Sequence, residues 1–175
     1  MPITIIKSTD VGAQTLNGLP GTLISVLDHC LVTVMGWTKE YSGVNKAVYR
    51  QPDGTNRMYL QVHDDEVVNS KYANVRGVES MSDVDTGTDQ FPTDAQEAGY
   101  YWHKSDGNDA DAADWFFASN GSCFYLAVTP NAGTASYLWS FGDGSTNIAI
   151  DNWMTWVAGS DSTSSSTSST HSFNF

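Results

Sequence analysis

Trp115-Phe116-Phe117-Ala118, Ser119-Asn120-Gly121 and Cys123-Phe124-Tyr125-Leu126-Ala127-Val128-Thr129 follow one another with one residue to spare. Two apolar runs rich in aromatic residues flank an Asn-Gly step. Asn and Gly accept the positive φ angles of a tight hairpin turn, and aromatic residues suit a pleated, half-buried surface. The stretch therefore predicts a β-hairpin, and it sets the class of the whole chain.

Similar signals recur on either side. Ala47 to Gln51 runs into Pro52-Asp53-Gly54, where Pro fixes φ for a turn and Gly accepts its opposite sign. Arg57 to His63 then alternates Met58, Leu60 and Val62 with Arg57, Tyr59, Gln61 and His63, the period of two of a strand with one buried face. Lys71–Val78, Ser136–Phe141 and Asn147–Val157 read as further strands. One segment breaks the pattern. Leu23, Val26, Leu27, Cys30 and Leu31 recur at intervals of three and four, which predicts a helix over about 22–34 with Thr22 as N-cap and Gly36 as its stop. Short strands separated by turns, with one N-terminal helix, predict a mainly β sandwich or barrel-like domain of antiparallel strands.

Length and composition fit a single core. At 175 residues, 40% of them apolar, the chain is sized for one domain. We read residues 1–22 as an extended N-terminal arm, 23–159 as the domain and 160–175 as a Ser/Thr-rich tail. That tail has nothing to bury and is expected to be disordered in a free monomer, with Phe173 and Phe175 as partner contacts. Charged residues make up only 16% of the chain, and 20 acids oppose 8 bases for a net charge of −12. A surface that tracks phosphates needs clustered Lys and Arg, so neither nucleic acid nor an anionic membrane is an expected partner. The opening MPITIIKSTD lacks the basic and apolar regions of a secretory leader, which points to synthesis in a cytoplasm.

The constellations that could carry chemistry are thin. Asp106, Asn108, Asp109 and Asp111 place oxygen ligands at close spacing, as a calcium loop does. Ala110 falls where such a loop needs a ligand, however, and no bidentate Glu follows. A solvated acidic loop is the first reading and a bound calcium the alternative; no other cofactor is expected. Asp83, Asp85 and Asp89 pose the same choice. Asp85-Thr86-Gly87 matches the tripeptide around an aspartic-protease nucleophile but reads as a turn. His63 precedes Asp64 and Asp65, which could orient an imidazole, yet no nucleophile is placed beside it. No Gly-x-Ser-x-Gly elbow and no phosphate-binding Gly loop occur, so no catalytic residue is assigned and the chain is not expected to be an enzyme. Cys30 and Cys123 are expected as buried free thiols, a single disulfide being the other option. The aromatic groups Tyr100-Tyr101-Trp102, Trp115-Phe116-Phe117 and Trp153/Trp156 are expected in the core or a subunit interface, with a sugar-binding platform as the alternative.

A series of distinctive short stretches lies between Gly36 and Thr93. Gly36-Trp-Thr-Lys39, Tyr41-Ser-Gly-Val-Asn-Lys-Ala-Val-Tyr-Arg50, Tyr59-Leu-Gln-Val-His-Asp-Asp65, Ala73-Asn-Val-Arg-Gly-Val-Glu-Ser-Met81, Asp83-Val-Asp-Thr-Gly-Thr88 and Phe91-Pro-Thr93 resemble a family of uncharacterised virion structural proteins of tailed bacteriophages. The likeness extends to Ser8–Gly12 and Leu23–Leu31 and fades after Asn131. It implies a virion component with no catalytic residues to carry over. The expectation is a capsid decoration or cement protein acting as a homo-oligomer. Its partners would be copies of itself and other virion proteins, the major capsid protein first. A tail or baseplate component, with tail proteins as partners and a part in host recognition, is the alternative.

Overall fold

The computed structural model describes residues 2–52, 58–91, 101–130, 136–145, 153–161 and 171–174, with the backbone alone for 143–145, 153–161 and 171–174. The Asn-Gly hairpin lies at the centre of the first sheet. That sheet is antiparallel, in the order β1 (Thr4–Lys7), β8 (Asp114–Ser119), β9 (Cys123–Thr129), β10 (Tyr137–Ser145), β11 (Trp153–Asp161), β12 (His171–Asn174). Gly121 takes φ 98°, and the Asn120 side-chain oxygen accepts from the Ser122 and Cys123 amides. The second sheet runs β2 (Thr38–Gly43), β3 (Lys46–Arg50), β4 (Tyr59–His63), β5 (Tyr72–Met81), β6 (Gly87–Phe91), and β7 (Tyr101–His103) pairs with the start of β5. The predicted 47–51/57–63 hairpin is the β3–β4 pair; its turn lies outside the described residues. The two sheets keep open edges. The architecture is a sandwich and not a closed barrel.

Strand alternation builds the interior. Trp115 and Phe117 of β8, Phe124, Leu126 and Val128 of β9, and Tyr137, Trp139 and Phe141 of β10 are buried. They face Ala47, Tyr49, Leu60, Val62, Ala73, Val75 and Trp102 of the second sheet. Phe124 is the hub: its ring meets Trp37, Trp102, Phe117 and Phe141 with centroids 5.4–6.4 Å apart. Trp102 stacks on Trp139 at 5.6 Å. Of the aromatic groups read as core or interface, Trp102, Trp115 and Phe117 are core, Tyr101 and Phe116 are exposed, and Tyr100 lies outside the described residues.

The helical segment starts and stops as expected but changes pitch. Thr22–Leu27 (α1) is α-helical, and Asp28–Val34 widens into a π-turn in which the Met35 amide reaches back to the Cys30 carbonyl at 3.1 Å. The widening falls where Val32, Thr33 and Val34 crowd the backbone with branched side chains. Gly36, at φ 74°, ends it. The cap differs from the sequence reading. Gly21 is the N-cap in a left-handed conformation, and the Thr22 hydroxyl turns back to the Asn17 and Leu19 carbonyls at 2.8 and 3.0 Å. The free helix amide of Leu23 donates instead to the Asp64 carboxylate, at 2.9 Å.

Both ends of the chain contribute a strand to the first sheet. Residues 4–7 pair with β8, Ile6 is buried, and fully buried Leu16 forms a bridge with Ala113. The arm is laid along its own domain because Ile6 and Leu16 each find core to bury. In the tail, residues 162–170 and Phe175 lie outside the described residues, but His171–Asn174 pairs with β11. Pairing uses backbone groups that every residue carries, so a segment without apolar periodicity can still close an edge. The two ends of the chain thus form the two edge strands of one sheet.

Both cysteines are free thiols, Cys30 fully buried and Cys123 half-buried. Burial pushes the Cys30 thiol up to about 12, which keeps it protonated and unreactive. Iodoacetamide at pH 8 should leave Cys30 unmodified in the folded protein and alkylate it in urea. Alkylation of Cys30 under native conditions would contradict its packing against Leu27 and Leu31 in the core.

Candidate interaction surface

Alternation that sends one set of side chains inward sends the other set out, and in the first sheet the outward set is apolar. Ile5 of β1, Phe116 of β8, Tyr125 of β9 and Leu138 of β10 are 39–54% exposed, and Ile3, just ahead of β1, is 69% exposed. Single exposed apolar residues are ordinary, whereas a contiguous group on one face marks a contact surface. The strand register shows that these belong together. Ile5, Ala118, Tyr125 and Ser140 lie in one row across the sheet, and Lys7, Phe116, Ala127 and Leu138 in the next. Among the described side chains of this face, the charges are Lys7 and Asp114, both at one margin. The backbone register carries the rows on to Ala158 and Ser160 of β11. In a chain of net charge −12, a nearly uncharged face this wide is a marked asymmetry.

Phe173, expected as a partner contact, sits in β12 opposite Trp156, whose neighbour across β10 is Gly142. The sequence reading missed Ile5, Phe116, Tyr125 and Leu138 as a group. Each belongs to a run whose mean hydropathy suits core, and only the register shows which half of each run faces out.

The acidic candidates are occupied with loop structure. The Asn108 side chain donates to the Val68 carbonyl at 2.7 Å and accepts from the Lys71 amide at 2.9 Å, tying two loops together. Asp109 Oδ1 accepts from the Asp111 amide at 3.1 Å, and Asp106 Oδ1 accepts from the Tyr137 hydroxyl at 3.4 Å. Among the described residues, no group of three His, Cys, Asp or Glu side chains is placed to hold a metal ion. Asp106, Asn108, Asp109 and Asp111 are therefore not gathered around a common point.

His63 and Asp85 do come together, although 22 positions separate them. His63 Nε2 lies 3.5 Å from Asp85 Oδ1 and 3.2 Å from the Val84 carbonyl. Lys46 Nζ reaches Asp85 at 2.8 Å and Asp65 at 3.3 Å. Asp83 accepts from the Asp85 and Thr86 amides at 2.7 and 2.8 Å, which folds the β5–β6 turn back over the outer face of the second sheet. These backbone donors hold the Asp83 carboxyl below the usual carboxylate range. The Gln61 side chain also donates to the Val84 carbonyl, at 2.9 Å. Val84 itself packs on a small cluster of Val48, Val78 and Met81. The group acts as a latch on a turn.

The deepest polar contact was hidden in the sequence. Asp64 and Lys104 are each 1% exposed at the side chain and pair at 2.5 Å, with Lys104 Nζ also donating to the Leu19 carbonyl. Asp64 meanwhile caps α1 through Leu23. Burial pushes the Asp64 carboxyl up to about 6 against the pull of Lys104, and it pushes the Lys104 ammonium down. One signal existed: Lys104 is the last base in the chain and lies at the head of an otherwise acidic half.

No helix among the described residues is long and apolar enough to cross a membrane. Comparison with family models, curated proteins and solved structures finds no match to this chain.

Proposed function

We propose that the chain is a virion structural protein, a capsid decoration or cement subunit that stabilises a shell by oligomeric contact. The observation that carries this reading is the exposed, nearly uncharged apolar face formed by β1, β8, β9 and β10, because such a face has a use only when something covers it. The resemblance of residues 36–93 to virion proteins of tailed bacteriophages supports the reading and suggests its setting, a particle assembled in a host cytoplasm. The edge strands β1 and β12 frame the face and give the chain ends a place in the contact. A stained gel of purified particles tests the assignment: a shell subunit appears in hundreds of copies per particle. Removal of residues 162–175 strips β12 from its edge and should lower the heat resistance of particles while leaving the isolated domain folded. Unchanged particle stability would remove the tail from the account.

A second reading, a tail or baseplate component that contacts a host sugar, has one observation in its favour. Tyr101, 47% exposed, leans on Tyr72 at 5.5 Å, and Tyr72 in turn meets His103 at 4.2 Å, an aromatic group reaching the surface. On this reading the gel shows only a handful of copies per particle.

A further inference from the structure

The relief of the apolar face identifies what covers it. On the three central strands the outward residues alternate in size in both directions. Tyr125 stands between Ala118 and Ser140 in one row, and in the next Ala127 lies between Phe116 and Leu138. Along each strand the order reverses: Phe116 then Ala118, Tyr125 then Ala127, Leu138 then Ser140. The result is a checkerboard of projections at Phe116, Tyr125 and Leu138 and hollows at Ala118, Ala127 and Ser140. Exposure follows the same pattern, since Tyr125 and Leu138 are each 45% exposed while Ser140 is 6% exposed.

A checkerboard is complementary to itself. Rotated by half a turn and shifted by one position, its projections enter its own hollows, which is the requirement of a two-fold contact between identical surfaces. We propose that this face packs against the same face of a second copy, giving a two-fold dimer with the β1–β12 sheets back to back. The proposal rests on the reading of the chain as an assembling subunit and names the partner of that same face.

Two further features favour a second copy over another occupant. Charge comes first. A partner carrying the same −12 is repelled at most approaches, but on this face the described charges are Lys7 and Asp114 at one margin, so two copies can meet here with their acids directed away from each other. Opposite signs at that margin also allow Lys7 of one copy to meet Asp114 of the other. Shape comes second: the hollows at Ala118, Ala127 and Ser140 are spaced as the projections at Phe116, Tyr125 and Leu138 are. Sheets packed face to face at about 10 Å spacing interdigitate their side chains in the same way inside a β-sandwich.

The test is sedimentation or light scattering of the purified full chain and of two variants, Tyr125→Glu and Ala127→Arg, each checked for folding by circular dichroism. The first places a charge on a projection and the second fills a hollow. Both alter outward positions and leave the interior set untouched. The parent should give a mass twice the 19.0 kDa of the chain at about 50 µM, and either variant should weaken dimerisation at least about tenfold. A parent that stays monomeric at that concentration overturns the proposal, as does a dimer that survives both substitutions. A protein that dimerises through this face yet is missing from purified particles contradicts the virion reading alone. One that is abundant in particles but monomeric through this face contradicts the dimer alone.

Discussion

Replacing Lys104 with methionine should lower the folding stability by about 3–5 kcal/mol at pH 8, the cost of leaving one partner of a buried ion pair uncompensated. Asp64 is enclosed, and its other contacts tie it to the helix start: Leu23 donates to its carboxylate, Gly21 to its carbonyl, and its own amide donates to the Asn45 carbonyl. It cannot turn out to water without uncapping α1. It is left to take up a proton, and this gives the prediction a pH signature. Burial already holds the Asp64 carboxyl at about 6 in the presence of Lys104, and removing the cation raises it further. A carboxyl whose pKa is higher folded than unfolded binds more protons when folded. Its contribution is therefore complete below the unfolded value of about 4 and is lost as pH rises through the folded value. The variant should accordingly be closer to the parent at pH 5 than at pH 8. Urea unfolding at the two pH values checks both claims. A variant within about 1 kcal/mol of the parent at pH 8 would mean that the pair does not hold the loop, the helix and the strand ends together.

Phe124→Ala should cost about 3–5 kcal/mol, whereas Tyr125→Ala, one residue on, should cost well under that. Phe124 is fully buried and is the ring at which both sheets and the segment after the helix converge. Trp37, in the segment after the helix, lies 6.0 Å away, Trp102 6.1 Å away on the second sheet, and Phe117 5.4 Å away on its own sheet. Truncation leaves a cavity among rigid aromatics that cannot easily collapse to fill it. Tyr125 points the other way and is 45% exposed, so its removal leaves no internal void. The contrast between adjacent residues reads the strand directly. Equal costs at the two positions, in denaturant titrations of dilute protein, would contradict the assignment of Tyr125 to an open face.

The sandwich was legible because its strongest elements are local. Asn120-Gly121 fixes a hairpin with no help from the rest of the chain, and the alternation of Met58, Leu60 and Val62 names a buried face by period alone. The helix was legible for the same reason, down to its stop at Gly36. Its cap was not, because Asp64 supplies the acceptor from a strand end 41 positions away. Strands β1, β2, β6 and β12 lack clear alternation: they are edges or neighbours of edges, where only one flank and part of one face must be satisfied. The apolar outer face was illegible for a different reason. Phe116 and Tyr125 look like core in any window of sequence, and only pairing in register reveals that both face away from it, beside small residues on the next strand. The acidic runs left two readings open in the sequence. Asp and Asn at close spacing suit a cation as well as they suit turns, and here Asn108 and Asp109 bond to backbone groups of their own and neighbouring loops.

The most direct measurement is oxidative footprinting of the protein inside purified particles, with Tyr101 as an exposed internal reference. The account predicts that Phe116, Tyr125 and Leu138 are protected from hydroxyl radicals relative to a monomeric Ala127→Arg protein, while Tyr101 reacts equally in both. Particles in which those three side chains react as fast as in the monomer, or particles that lack the chain, would contradict it.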